Sequence, residues 1–362
     1  MTVIHPVHED HGATFAERGG RQVVRHFGRP GRTHRAVRNG VGLIEMAYGV
    51  LTIEGDDRVS YVDNVVSNSV PTENGEGTYA LVLDPQGGIE TDMYVYNAGE
   101  RLLIFTPPQR AEPLADEWRE KTFIEDVDID LATDNYAVFG LHGPKATEKV
   151  ASVLNKSGTP ETHLSFVRGS MGDEGVSVIR TDALAGDEGF EVVCAADDAE
   201  AVYDTLLNHG LNAAPFGYDS WETLTLEAGT PLFDTELEGQ IPNVLGLRNA
   251  VDFEKGCFVG QEVVSRVENR GRPSKRLVGL TCEAVPSAGA AVFDGDASVG
   301  EVTRAARTEL VEEPIALALV QFDAADEDGL TVRVDGEDVP ATITALPFVE
   351  GSDRSGRLPT YE

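Results

Sequence analysis

The sequence predicts an α+β protein: two helix-and-hairpin units followed by a small all-β domain. Three observations carry this. The chain of 362 residues exceeds what one hydrophobic core supports, so more than one domain is expected. Between residues 49 and 229, alternating apolar stretches give way to helical patterns more than once. After Pro273 the texture becomes short strands and turns with almost no helix. The expected division is 1–272 for the α+β region and 273–362 for the β domain.

In order, residues 8–40 mix a short helical pattern with Gly- and Arg-rich turns. GVLTIEGDDRVSYVDNVVSN (49–68) reads as strand, turn and helix, with Asp56 and Asp57 placed to cap the helix. GTYALVLDPQGGIETDMYVYNAGERLLIFTP (77–107) reads as antiparallel strands with turns at PQGG and NAGE. A helix follows in PPQRAEPLADEWREKT. YAVFGLHGPKATEKVASVL (136–154) is strand, Gly-Pro turn and helix, and residues 175–210 repeat strand, turn, strand and helix. GYDSWETLTLEAG (217–229) is a helix ending at Gly229. These units have split β-α-β character. Beyond 273, KRLVGLTCE, VFDGDASVGEVTRAA, PIALALVQF, LTVRVDG and VPATITALPF build a barrel or a sandwich.

The charge is unusual. Asp and Glu number 62 against 29 Lys and Arg, a net charge of −33, while hydrophobic and charged fractions of 41% and 25% are those of a globular protein. The acids are dispersed, and lysine occurs only at 121, 145, 149, 156, 255 and 275. Dispersed acid with scarce lysine fits a salt-adapted interior, where a Debye length of about 3 Å screens self-repulsion. Direct DNA binding across a broad basic face is disfavoured. There is no cationic and apolar signal segment and no apolar run of about 18 residues, so a cytoplasmic protein without a membrane partner is expected.

Candidate chemistry lies in a few stretches. In HPVHEDH, His5, His8 and His11 share a helical spacing, but no neighbouring set completes a metal site, so no metal is expected. GPKATEKV lacks the P-loop pattern. In LDPQGGIETDMYVY, Asp92 interrupts a run of β-formers; Asp92, Tyr94 and Tyr96 share one strand face, Met93 and Val95 the other. An acid beside aromatics suits a flat, polar, partly cationic ligand. Glu191 lies in the strand of GDEGFEVVC. Cys194 and Cys282 end apolar alternations and read as core. KGCFVGQE (255–262) holds a third cysteine between a glycine and an aromatic. A buried Cys257 and a thiol activated by Lys255, Arg266 or a distant histidine such as His34 or His142 both fit those residues.

That octet resembles the signature of the YgfZ family, folate-binding proteins implicated in iron–sulfur cluster maintenance and tRNA modification. The resemblance runs through residues 241–280. The rest of the chain is similar to the wider superfamily of the aminomethyltransferase (T-protein) of glycine cleavage, in VHEDHGATFAERGG, HRAVRNGVGLIE, AVFGLHGPKA, LTLEAG, VGEVTRA and ALPF. The resemblance implies a T-protein-like ring of three domains, two ferredoxin-like α+β units and a C-terminal β-barrel, around a tetrahydrofolate site. It implies that Asp92, matching the acid of GGI..DDL, lies near the reacting nitrogens and that Glu191 holds the pterin edge. Tyr94, Lys255 and Gln261 are further candidates for folate contact, with Asp92 and Cys257 as catalytic candidates. Two departures stand out: WETLTLEAG has Trp221 and Thr225 where the family has arginines, and IEMA (44–47) replaces DVSH. Three functions follow: a YgfZ-type one-carbon protein with an iron–sulfur protein as partner, an aminomethyltransferase with a carrier-protein partner, or a non-catalytic folate-binding scaffold.

Overall fold

The structure is a computed structural model that describes residues 1–326 and 329–361. It is a mixed α+β fold. Strands Gly77–Leu83, Ile89–Asn97, Arg101–Thr106, Gly49–Glu54 and Asp128–Leu131 form a five-stranded sheet in that order. A six-stranded sheet runs Phe166–Met171, Glu174–Arg180, Gly189–Ala195, Tyr136–His142, Gly42–Glu45 and Ala214–Pro215; only the last pairing is parallel among those two strands' neighbours. Six strands between Lys275 and Thr344 close into a barrel, which settles the choice between barrel and sandwich.

Each sheet has helices on one face. Arg58–Val65 and Pro108–Lys121 cover the five-stranded sheet, where Val62, Leu114 and Trp118 bury against Leu51, Met93, Val95 and Ile104. Ala146–Val153 and Ala199–Asn208 cover the other, where Val150, Val202 and Leu206 bury against Phe139, Phe190 and Val192. The opposite faces meet. Tyr79, Tyr94, Tyr96 and Phe105 from one sheet share a single core with Ile44, Val138, Ile179 and Val193 from the other, and with Leu277, Ile315 and Leu317 of the barrel. Period-two alternation explains this: odd and even positions of one strand serve two different cores. Thus Met93 and Val95 face the helices, while Tyr94 and Tyr96 face the second sheet, as the alternation in 89–97 predicts.

Two expectations for the helices differ in outcome. Tyr218–Glu227 ends before Gly229, which takes φ +69°, the left-handed conformation that glycine adopts without strain. At Arg58–Val65, Asp57 precedes the helix but makes no side-chain capping bond. Its Oδ2 instead accepts the Asp126 N–H at 2.9 Å, a competing donor brought in from 69 residues away. Cys194 and Cys282 are buried, as their strand positions predict, whereas Cys257 is exposed. No helix among the described residues is long and apolar enough to cross a membrane.

Candidate folate site between the two sheets

The shared core is not wholly apolar. Asp92, Asp182 and Glu191 are each buried within it. Asp92 and Glu191 arrive on inward positions of facing strands, and Asp182 follows the strand Glu174–Arg180. A buried carboxylate is costly unless its oxygens are hydrogen-bonded. Asp92 Oδ2 accepts from Tyr79 Oη at 3.1 Å and from Arg357 Nη1 at 2.8 Å. Its Oδ1 is buried and has no hydrogen-bond partner among the described residues. Tyr94 Oη donates to Asp182 Oδ1 at 2.8 Å and accepts from Arg357 Nη2 at 2.7 Å. Tyr48 Oη donates to Glu191 Oε1 at 2.7 Å.

Burial pushes the Glu191 carboxyl up to about 7; the Tyr48 hydrogen bond and the Arg357 cation oppose this, and the Asp182 charge adds to it. Next to it, burial pushes the His142 imidazole down to about 4 against the pull of Asp187. Neither ring nitrogen of His142 has a hydrogen-bond partner among the described residues. Its ring lies 4.8 Å from that of Trp221 and over two glycines: a Cβ on Gly140 would stand 2.6 Å from Nε2, and one on Gly189 2.9 Å from Nδ1.

These groups border two adjoining spaces. A cleft of about 80 Å³ is lined by Asp92, Tyr94, Tyr48, Phe105, Trp221 and Arg357 among others. Behind it Glu191, His142, Asp182 and Tyr96 close around a gap too small for a water, which shares Tyr94, Leu184 and Trp221 with the cleft. Tyr48 and Phe105 stack at 5.3 Å with 13° between their planes, giving the cleft a flat aromatic wall. The donors here, Tyr48, Tyr79, Tyr94 and Arg357, are spent on the carboxylates, so a flat heterocycle bearing N–H donors meets the acceptors Asp92 Oδ1 and Glu191 and the ring faces. The chemistry of these residues therefore fits the pterin of tetrahydrofolate, and a ring that reaches Glu191 must open the closed gap around it.

Of the candidates named from sequence, Asp92, Tyr94 and Glu191 come together here. Lys255, Cys257 and Gln261 border neither space. The expectation that Lys255 contacts folate is corrected by its bonds: Nζ donates to the carbonyls of Asp63, Val66 and Asn68 at 2.6, 3.1 and 2.8 Å, and also lies 3.3 Å from Asp63 Oδ1. An ammonium so engaged ties two segments together and has no donor left for a ligand. Gln261 Nε2 likewise reaches back to the Lys255 carbonyl at 3.4 Å. Within the same octet Phe258 enters the shared core, and Gly260 takes φ +80° against the turn before the Asp92 strand, where a Cβ would stand 2.7 Å from the Asp84 carbonyl oxygen. Phe258, Gly260 and Lys255 therefore fix a turn, while Cys257 faces solvent together with Gly256, Val259 and Glu262.

The two departures also have local explanations. Glu45 of IEMA accepts from the Val3 N–H at 2.6 Å and lies 2.8 Å from His8 Nε2, which absorbs the middle histidine of HPVHEDH; His11 Nδ1 meets the Val7 carbonyl. Trp221 covers His142, and Thr225 Oγ1 accepts from Arg304 Nη1 at 3.1 Å, so a barrel arginine enters near the place of the missing one. Sequence reading missed Tyr48, Asp182 and Arg357 as site residues and named His142 only as a possible partner of the Cys257 thiol. His142 carried a signal, a polar residue on an inward strand position; Arg357, in the C-terminal tail, carried none.

The comparisons agree with this architecture. The model described as "GCVT N-terminal domain" matches residues 4–255, and "Glycine cleavage T-protein C-terminal barrel domain" matches residues 275–350. An aminomethyltransferase of Saccharopolyspora erythraea is 31% identical over 96% of this chain and 97% of its own length. A probable aminomethyltransferase of Halobacterium salinarum is 31% identical over 96% and 98%. The crystal structure of glycine cleavage system aminomethyltransferase T from Bartonella henselae superposes with a TM-score of 0.86 over 98% of each chain at 22% identity, a likeness of fold. With the first of these models covering more than half of its length, the chain belongs to the glycine cleavage T-protein (GCVT) family.

Proposed function

We propose that the chain is a tetrahydrofolate-dependent one-carbon transferase of the aminomethyltransferase type. The observation that carries the reading is the unsatisfied buried oxygen of Asp92, set on the wall of an aromatic cleft with Glu191 buried behind it. In this reading Glu191 accepts from the amide and amino edge of the pterin. Asp92 Oδ1 meets an N–H of the reduced ring system and takes up its proton as that nitrogen bonds to the aminomethyl carbon and the carbon–sulfur bond to the carrier's lipoyl thiol breaks; ammonia then leaves as the second folate nitrogen closes the methylene bridge, so Asp92 has a general-base role. The aromatic walls exclude water from the reacting atoms. The relatives named aminomethyltransferase support this reading over a YgfZ-type one, because they match along nearly the whole chain. A lipoyl carrier protein as donor of the aminomethyl group belongs to the same proposal.

The exposed Cys257 favours a second reading, in which a YgfZ-type protein uses its thiol in iron–sulfur work with a partner protein. Trp221 and Thr225 in place of family arginines favour it also.

Titration with tetrahydrofolate in molar KCl tests folate binding, with Glu191→Ala as the control. A buried carboxylate accepting two pterin N–H bonds contributes about 2–4 kcal/mol, and the variant loses that affinity. Unchanged affinity removes Glu191 from the site, and no binding by the wild-type chain ends the folate reading. Formation of methylene-tetrahydrofolate from an aminomethylated carrier separates the transferase from the second reading.

A further inference from the structure

The barrel's last strand ends at Thr344, and the chain does not stop there. Residues 345–361 run back over both sheets. The Phe348 N–H bonds the Glu227 carbonyl at 2.9 Å, and the Gly356 N–H bonds the Asp182 carbonyl at 2.7 Å. Ser355 Oγ meets Thr230 Oγ1 at 2.7 Å, and the Thr360 N–H bonds the Gly246 carbonyl at 3.0 Å. Tyr361 Oη donates to the Val244 carbonyl at 2.7 Å. This strap is pinned on both sides of Arg357, whose side chain is buried between the two sheets.

There Arg357 does more than balance charge. Its planar fork sends Nη1 to Asp92 Oδ2 and Nη2 to Tyr94 Oη. The guanidinium lies 4.0 Å from the centre of the Tyr79 ring, whose hydroxyl bonds the same Asp92 oxygen. Its Nε lies 3.7 Å from Asp182 Oδ2, the acid of the opposite unit. The terminal torsion of an aspartate is broad, so an unheld carboxylate turns easily. Here one oxygen is held by two donors, and the other is the buried oxygen without a partner among the described residues.

We propose that the C-terminal strap is part of the folate site and that Arg357 is its positioning residue: the fork holds Asp92 Oδ2 and thereby aims Oδ1 at the ligand. The inference rests on the folate reading above. It assigns to a tail outside both α+β units a part in binding that a simple charge at the same place does not supply, because a lysine cannot donate to Asp92 and Tyr94 in one plane.

The test is a double-mutant cycle on the full chain in molar KCl, reading tetrahydrofolate dissociation constants and melting temperatures. The variants are Arg357→Lys, which keeps the charge, Arg357→Gln, which keeps a planar donor, Asp92→Asn, and both double variants; either Arg357 variant that folds completes the cycle. Arg357→Lys and Asp92→Asn are each expected to weaken binding about tenfold, and the double variant to bind no more weakly than Asp92→Asn alone, since coupled neighbours are not additive. Losses that multiply to about a hundredfold, or an Arg357 variant that binds as the wild type does, overturn the inference while leaving the folate reading intact. A wild-type chain that binds no tetrahydrofolate overturns both.

Discussion

Tyr48 and Glu191 stand 143 positions apart in the chain and meet in a 2.7 Å hydrogen bond at the seam of the two sheets. Tyr48 lies just before the strand Gly49–Glu54 of the five-stranded sheet, and Glu191 is in the six-stranded one. The bond is the single hydrogen-bonding contact of Glu191's side chain among the described residues, and it opposes the rise that burial imposes on that carboxyl.

The pair therefore predicts a pH dependence. An acid raised from about 4.5 to about 7 keeps its proton in the folded chain after the unfolded chain has lost it. Stability from this group is unaffected below pH 4.5, falls between 4.5 and 7, and then levels off at a cost of about 3 kcal/mol, at about 1.4 kcal/mol per pH unit. Melting curves of Glu191→Gln should lack this descending limb. Tyr48→Phe should extend it to higher pH, because the opposing hydrogen bond is gone. A Tyr48→Phe limb that ends at lower pH than the wild type's contradicts the assignment.

Asp92→Asn is nearly isosteric. Its oxygen can keep the contacts to Arg357 and Tyr79, which leaves an amide donor facing the ligand's own donor. The variant is expected to melt within a few degrees of wild type, bind tetrahydrofolate about tenfold more weakly, and lose methylene-tetrahydrofolate formation by about 100-fold or more, within the range typical of general acid–base groups. Retained turnover in a stopped assay excludes Asp92 as the base.

Cys257 is expected to react with a small alkylating agent in the folded protein well before the other two thiols. Burial pushes Cys194 up to about 12 and Cys282 up to about 11, while Cys257 is exposed. Cys257→Ser should change stability by less than about 0.5 kcal/mol. Mass spectrometry of timed alkylation reads the order directly, and prior modification of Cys194 contradicts it.

The net charge of −33 predicts loss of structure in dilute buffer and recovery in molar KCl, as screening removes the self-repulsion of a mostly acidic surface. Circular dichroism melts across a salt series measure this. A melting temperature that stays flat from low to molar salt rules out salt adaptation.

Alternation alone placed Asp92, Tyr94 and Tyr96 on one strand face and Met93 and Val95 on the other, and it put Cys194 and Cys282 inside. It also separated the α+β region from the β domain, because strand and helix periods are properties of neighbouring residues. What each polar group would meet was beyond it. Asp57 looked like a helix cap, yet the Asp126 N–H reaches it first. Lys255 looked like a ligand contact, yet three backbone carbonyls and a carboxylate surround its ammonium. Arg357 carried no local signal, and its partner Asp92 lies 265 positions away. A hydrogen bond is decided over about 3 Å in space, and only the closing of two sheets and a returning tail brings such distant donors and acceptors within that reach.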